Sequence, residues 1–169
     1  MRSKLVTGII VSLLLASMLT VAFNVAPTAC SESIRPMVFV HGFSGSGAQF
    51  ESQAMRFTSN GYPTNYIATY EYDSYDLFLN ASLISQVLAG LNNSIDTLRT
   101  QTGFDKVDLI GHSMGTMVCQ KYLNSSGNAA KVAHYVNIDG ATATSLPGGV
   151  PTLAIWAGAG WTYNPSNTI

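Results

Sequence analysis

Five short apolar runs, rich in β-branched and aromatic residues, alternate along this chain with longer segments of helical spacing, an order that predicts βαβ units and a parallel sheet. The runs are Met37 to Val40, Tyr66 to Tyr70, Val107 to Ile110, Ala133 to Ile138 and Thr152 to Trp156. Between them, Gln49 to Ser59 and Ala81 to Thr100 are predicted helices. In the second, Leu83, Val87, Leu91, Ile95 and Leu98 recur at steps of three and four and make one apolar stripe. A third helix is predicted from Ser113 to Leu123, stopped near Asn124 and Gly127. The connections are long enough for right-handed crossovers. The expected class is therefore α/β, with a mainly parallel central sheet flanked by helices.

Composition narrows the function classes. Of the 169 residues, 47% are hydrophobic and 10% charged, which supports one globular core and argues against disorder. The formal net charge of −1, with basic residues scattered singly, leaves no stripe for a phosphate backbone, so nucleic acid is not expected as a partner.

Arg2 and Lys4 precede an apolar run from Leu5 to Phe23 and a small-residue stretch ending Pro27-Thr28-Ala29-Cys30, the layout of an export signal. The chain is thus read as residues 1–30, a signal peptide or N-terminal membrane anchor, followed by a folded domain over 31–169. An uncleaved anchor is the alternative, because about 20 apolar residues can span a bilayer. Cys30 sits where an acylated cysteine would stand, although Pro27 departs from the usual pattern before such a site. A secreted location is expected, with membrane association through residues 5–23 or a lipidated Cys30 as its variant. The only other cysteine, Cys119, falls among Met117, Val118 and Tyr122, where it is expected to pack as a small apolar residue. No disulfide framework is being built.

The strand pattern Lys106 to Ile110 runs directly into Gly111-His112-Ser113-Met114-Gly115, which then opens the third helix. This is Gly-x-Ser-x-Gly in the strand-to-helix context that gives the motif meaning. Ser113 is expected to occupy a sharp, strained turn with its hydroxyl projecting, while side chains at 111 and 115 would collide with neighbouring backbone. The N–H of Met114, at a helix start, is a predicted donor to a developing oxyanion. The first strand ends in His41-Gly42-Phe43-Ser44-Gly45-Ser46-Gly47, and the second donor is assigned to the N–H of Phe43. A phosphate-binding loop is the rival there. No Gly-Lys-Ser/Thr ending follows, and Gly42, Gly45 and Gly47 miss the dinucleotide spacing. His41 is expected to hold the loop's shape by hydrogen bonds rather than to act as a base.

Three blocks, Arg35-Pro36-Met37-Val38-Phe39-Val40-His41-Gly42-Phe43, Val107-Asp108-Leu109-Ile110-Gly111-His112-Ser113-Met114-Gly115 and Val136-Asn137-Ile138-Asp139-Gly140, resemble matching stretches of secreted bacterial and archaeal lipases of the α/β-hydrolase superfamily. The likeness runs from about Arg35 to Trp156. It implies the α/β-hydrolase fold and hydrolysis of carboxylic esters, acylglycerols included, with a small-molecule ester or lipid as substrate and neither metal nor organic cofactor.

In such hydrolases the triad runs Ser, then Asp or Glu, then His. After Ser113 the only carboxylate side chain is Asp139, at the end of a predicted strand, and the resemblance also puts an aspartate at this Asp-Gly site. No histidine follows it: the three are His41, His112 and His134. His134 lies five residues before Asp139 in the same strand, roughly 16 Å from that edge, and His112 should point away from Ser113. The base is expected in a loop after one further strand, and the sequence is read as incomplete at its C-terminus. A serine hydrolase without its base keeps only residual catalysis.

Phe43, Met114, Leu146 and Trp156 are the apolar candidates for an acyl-binding pocket. Tyr70 to Phe78 is expected to be a solvated loop before the long helix, with a segment shaping the pocket mouth or a small lid as its alternatives. Beside the lipase or esterase reading stand a non-catalytic protein that binds acyl ligands and an inactive fragment.

Overall fold

The computed structural model describes residues 34–141 and 145–156. The chain divides at Ile34/Arg35 into two units, and the sheet belongs to the second. The apolar run from Leu5 to Phe23, Cys30 and the glycine-rich stretch after Trp156 lie outside the described residues. Among those described, no helix is long and apolar enough to cross a membrane.

Among the described residues, five strands form one all-parallel sheet: β1 (Met37–Val40), β2 (Ile67–Tyr70), β3 (Val107–His112), β4 (Val132–Ile138) and β5 (Thr152–Ile155), in the order β2-β1-β3-β4-β5. All four residues of β1 are buried, as befits a strand covered on both faces. Successive side chains serve opposite sides. Met37, Phe39 and Ile110 join Phe50 in one core cluster, while Val38, Val40, Leu109 and Tyr135 join the larger core on the other face.

Helix α1 (Glu51–Ser59), entered through a 3-10 turn at Gly47–Phe50, follows β1. Two helices, α2 (Ser74–Leu79) and α3 (Ile84–Thr102), link β2 to β3, and α4 (Met114–Asn124) links β3 to β4. Four of the five residues of the predicted stripe, Val87, Leu91, Ile95 and Leu98, are buried on α3, while Leu83 is half-buried in the turn before it. Full burial of a side chain such as Leu91 stabilises the fold by about 1.5–3 kcal/mol. Gly103 ends α3 in the left-handed conformation (φ 74°), where its N–H donates to the Arg99 carbonyl at 2.9 Å.

Most element boundaries move by one to three residues from the sequence reading, and three differences bear on the site. β3 continues through His112, because Gly111 and His112 still pair with Asn137 and Ile138 of β4. α3 proper starts at Ile84, behind a 3-10 turn over Ala81–Leu83. The segment Tyr70 to Phe78 is not a plain loop. Asp73 accepts the N–H of Asp76 at 2.8 Å and caps α2, which buries Ser74 and Leu77.

The strand order places the site. From β1 the chain turns to β2 on one side, and β3 then pairs on the other, so the carboxyl ends of β1 and β3 flank the point where the order reverses. In open α/β sheets that crevice is where ligands bind.

Candidate active site

The β3-α4 junction is strained. Ser113 has φ 49° and ψ −120°, a conformation that a non-glycine residue holds only when its surroundings over-determine it. Both flanking glycines are compelled by space. A Cβ on Gly111 would stand 2.9 Å from Cys119 Sγ, and one on Gly115 would stand 2.5 Å from the His41 carbonyl and closer still to that of Val40. Helix α4 is thereby pressed onto the end of β1, and its first residue is Met114. The Ser113 hydroxyl caps none of the helix amides.

The loop after β1 leans on this elbow. A Cβ on Gly42 would lie 3.0 Å from Ser113 Cβ and 3.1 Å from His112 Nδ1, so the main chain of Gly42 and Phe43 runs beside the serine. Its shape is pinned from outside: Ser44 (φ 54°) donates its N–H to the buried Ser74 hydroxyl at 2.9 Å, and the Gly47 N–H donates to the Glu71 carboxylate. Among the described residues, neither the Phe43 nor the Met114 amide donates to a backbone carbonyl. Met114 also stands at the positive end of an eleven-residue helix.

Asp139 ends β4, exposed and with φ 50°, its N–H bonded to the Ile155 carbonyl at 2.8 Å. The turn behind it is fastened to the elbow. Ser113 N–H donates to the Ile138 carbonyl at 2.9 Å, and the Ala141 N–H donates to the Thr116 hydroxyl at 3.0 Å.

The three histidines have other employment. His41, fully buried, bonds the Gly42 carbonyl through Nδ1 at 2.9 Å and stacks on Tyr72, with ring centroids 4.5 Å apart. Tyr72 donates its hydroxyl to the His41 carbonyl at 2.8 Å, and Glu71 approaches His41 Nε2 at 3.6 Å. Burial pushes the Tyr72 phenol up, which keeps it a donor. Thus His41 does hold the loop. His112 Nδ1 is bonded to the Gln49 amide at 2.7 Å. His134 pairs with Asp108 at 2.9 Å, near the amino ends of the strands and away from the elbow. The free thiol of Cys119 is buried under Gly111, and burial pushes it up, as suits a packing residue.

Beside the elbow opens an apolar cavity of about 270 Å³. Met114 and Met117 of α4 form one wall; Leu77, Phe78, Ala81 and Ile84 form the other. Lys121 closes the far end, seven residues along α4 from Met114 or about 10 Å. The Phe43 ring lies tilted against Phe78 and Tyr75, with centroids 5.0 and 5.9 Å away, extending the apolar mouth outward. Of the apolar residues expected at an acyl pocket, this cavity gathers some and not others. Met114 lines the cavity and Phe43 borders it, but Leu146 and Trp156 are not in its lining, because Trp156 follows the edge strand β5, two strands beyond β3. Among the described residues no three His, Cys, Asp or Glu side chains gather as metal ligands.

A profile of lipases of class 2 matches residues 34–142, the stretch that holds β1, the loop after it, the elbow and Asp139. The chain belongs to the class 2 lipase family. That is a family of hydrolases acting on lipid and other small ester substrates, and the parallel sheet of this lipase-family chain agrees with it. Sequence reasoning missed several residues that hold the site: Gln49 behind His112, Glu71 and Ser74 behind the β1 loop, and Thr116 behind the elbow. Only the Asp73–Asp76 capping spacing offered a legible cue, and it bears on α2 alone.

Proposed function

We propose that this protein cleaves carboxylic esters through an acyl-enzyme on Ser113. The carrying observation is the Ser113 elbow itself, at φ 49° with Gly42 against it, and with no backbone carbonyl among the described residues accepting from the Met114 or Phe43 amide. In this reading the Ser113 hydroxyl attacks the ester carbonyl, the two amides receive the negative charge, and the alcohol leaves with a proton. Water then hydrolyses the acyl-serine. Asp139 would orient the imidazole that takes the serine proton and returns it to the alcohol, a place that His41, His112 and His134 do not fill. The acyl chain lies in the cavity between α2 and α4, which suits a chain of moderate length. Export, directed by the segment preceding residue 31, accompanies this proposal.

Hydrolysis of nitrophenyl butyrate and decanoate tests the reading. Ser113→Ala should remove the part of the rate that depends on the serine hydroxyl, a small part until a base is supplied. Imidazole added in solution should accelerate hydrolysis by the unmodified chain beyond its effect on Ser113→Ala, because His41, His112 and His134 are engaged elsewhere. Equal rates with and without Ser113 would overturn the proposal. That same engagement of the histidines supports a second reading, an acyl-binding protein without turnover; saturable decanoate binding with no Ser113-dependent hydrolysis, even with imidazole, would favour it.

A further inference from the structure

We infer that the Thr116 hydroxyl is a positioning group that locks the nucleophile elbow to the turn carrying Asp139. The inference rests on the reading of Ser113 as nucleophile and Asp139 as acid, and adds a residue to it. Thr116 is fully buried on the third position of α4. Its Oγ1 donates to the Ser113 carbonyl at 2.6 Å and accepts the Ala141 N–H at 3.0 Å, so its single proton and a lone pair are both used. On the other side, the Ser113 N–H donates to the Ile138 carbonyl at 2.9 Å. A closed ring results. It passes from the peptide before Ser113 to Ile138, through Asp139 and Gly140 to Ala141, and back through Thr116 to the peptide after Ser113.

Both residues of the ring with a positive φ outside glycine are the two assigned to chemistry, Ser113 at 49° and Asp139 at 50°. Neither conformation is preferred by an isolated residue, so each needs bonds on both sides to persist. The ring supplies them. Gly140 shows how tightly it is drawn, since a Cβ there would overlap the Thr116 side chain. The Ala141 carbonyl is held in turn by the Asn137 amide at 2.8 Å and the Gln120 amide at 2.5 Å. Serine and acid turn should therefore shift together or not at all.

Thr116→Val keeps the shape and removes both bonds, whereas Thr116→Ser keeps the hydroxyl. Phosphonylation of Ser113 by a fluorophosphonate should slow in Thr116→Val by about tenfold or more in its maximal rate, with half-saturation unchanged and Thr116→Ser within about threefold of the parent. The apolar cavity that sets half-saturation does not include Thr116. Independently of any chemistry, hydrogen exchange at the Ala141 amide should quicken about tenfold or more in Thr116→Val, but not in Thr116→Ser, while Leu109 in β3 stays protected. An unchanged maximal rate, a loss confined to half-saturation, or Thr116→Ser as slow as Thr116→Val would overturn the inference. So would an Ala141 amide indifferent to Thr116→Val. Absence of Ser113 phosphonylation in the parent would count against the nucleophile alone, and the exchange measurement would still decide the ring.

Discussion

A methyl group built on Gly42 would stand 3.0 Å from Cβ of Ser113, so the loop after β1 and the elbow after β3 meet with no room between them. Two segments some seventy residues apart in sequence become one surface there, and the assignment of Phe43 and Met114 as paired donors depends on that contact.

Gly115→Ala tests the fit from below. Its new methyl would press on the backbone carbonyls of Val40 and His41, which cannot swing aside as a side chain tip could. The variant should lose roughly 3 kcal/mol of stability, at the upper end for overpacking, measured by urea unfolding. Gly61→Ala, with nothing near its Cβ position, is the control for space, although its φ of 88° carries a strain of its own.

Much of this was legible beforehand, for physical reasons that differ by element. β1 was readable because a doubly covered strand must be apolar at every position, as Met37-Val38-Phe39-Val40 is. The elbow was readable because Gly111 and Gly115 are demanded locally by a tight turn. The cavity was not, since Leu77, Phe78, Ala81 and Ile84 gain their role only when α2 and the start of α3 fold over α4. Thr116 carries no local signature either. A threonine near a helix start is ordinary, and only the approach of Ala141 from the turn after β4 gives its hydroxyl a second partner.

Chain-length preference should follow the α4 wall of the cavity. Met117→Trp fills the space between Met117 and Ile84 while leaving the elbow alone. Decanoate hydrolysis should fall relative to butyrate by about tenfold, the equivalent of displacing one or two buried methylenes. An unchanged ratio would move the acyl chain elsewhere.

Cys119 should be chemically silent in the folded protein. It is fully buried, and burial raises its thiol. Maleimide at mildly alkaline pH followed by peptide mass spectrometry should find Cys119 unmodified until denaturant is added.

Acid should weaken the α3-β4 side of the domain. The Lys131 ammonium, hydrogen-bonded to Asp96 at 2.7 Å, holds that carboxyl below its usual range, and Arg99 at 2.8 Å adds to the effect. A carboxylate lowered in the native state stabilises it above the unfolded-state pKa, and that contribution fades as pH falls through the native value. Asp96 is 39% exposed, so solvent screens the pair. Asp96→Asn should cost about 0.5–1 kcal/mol at pH 7, and the gap from the parent should shrink as pH drops below about 4.

A covalent acyl group on Ser113 can be caught by mixing the protein with nitrophenyl butyrate, quenching in acid within seconds and mapping the peptides by mass spectrometry. A butyryl adduct is expected on the peptide containing Ser113, absent from Ser113→Ala and from protein unfolded beforehand. Ester hydrolysis with no adduct at Ser113, or an adduct formed equally after unfolding, would contradict it.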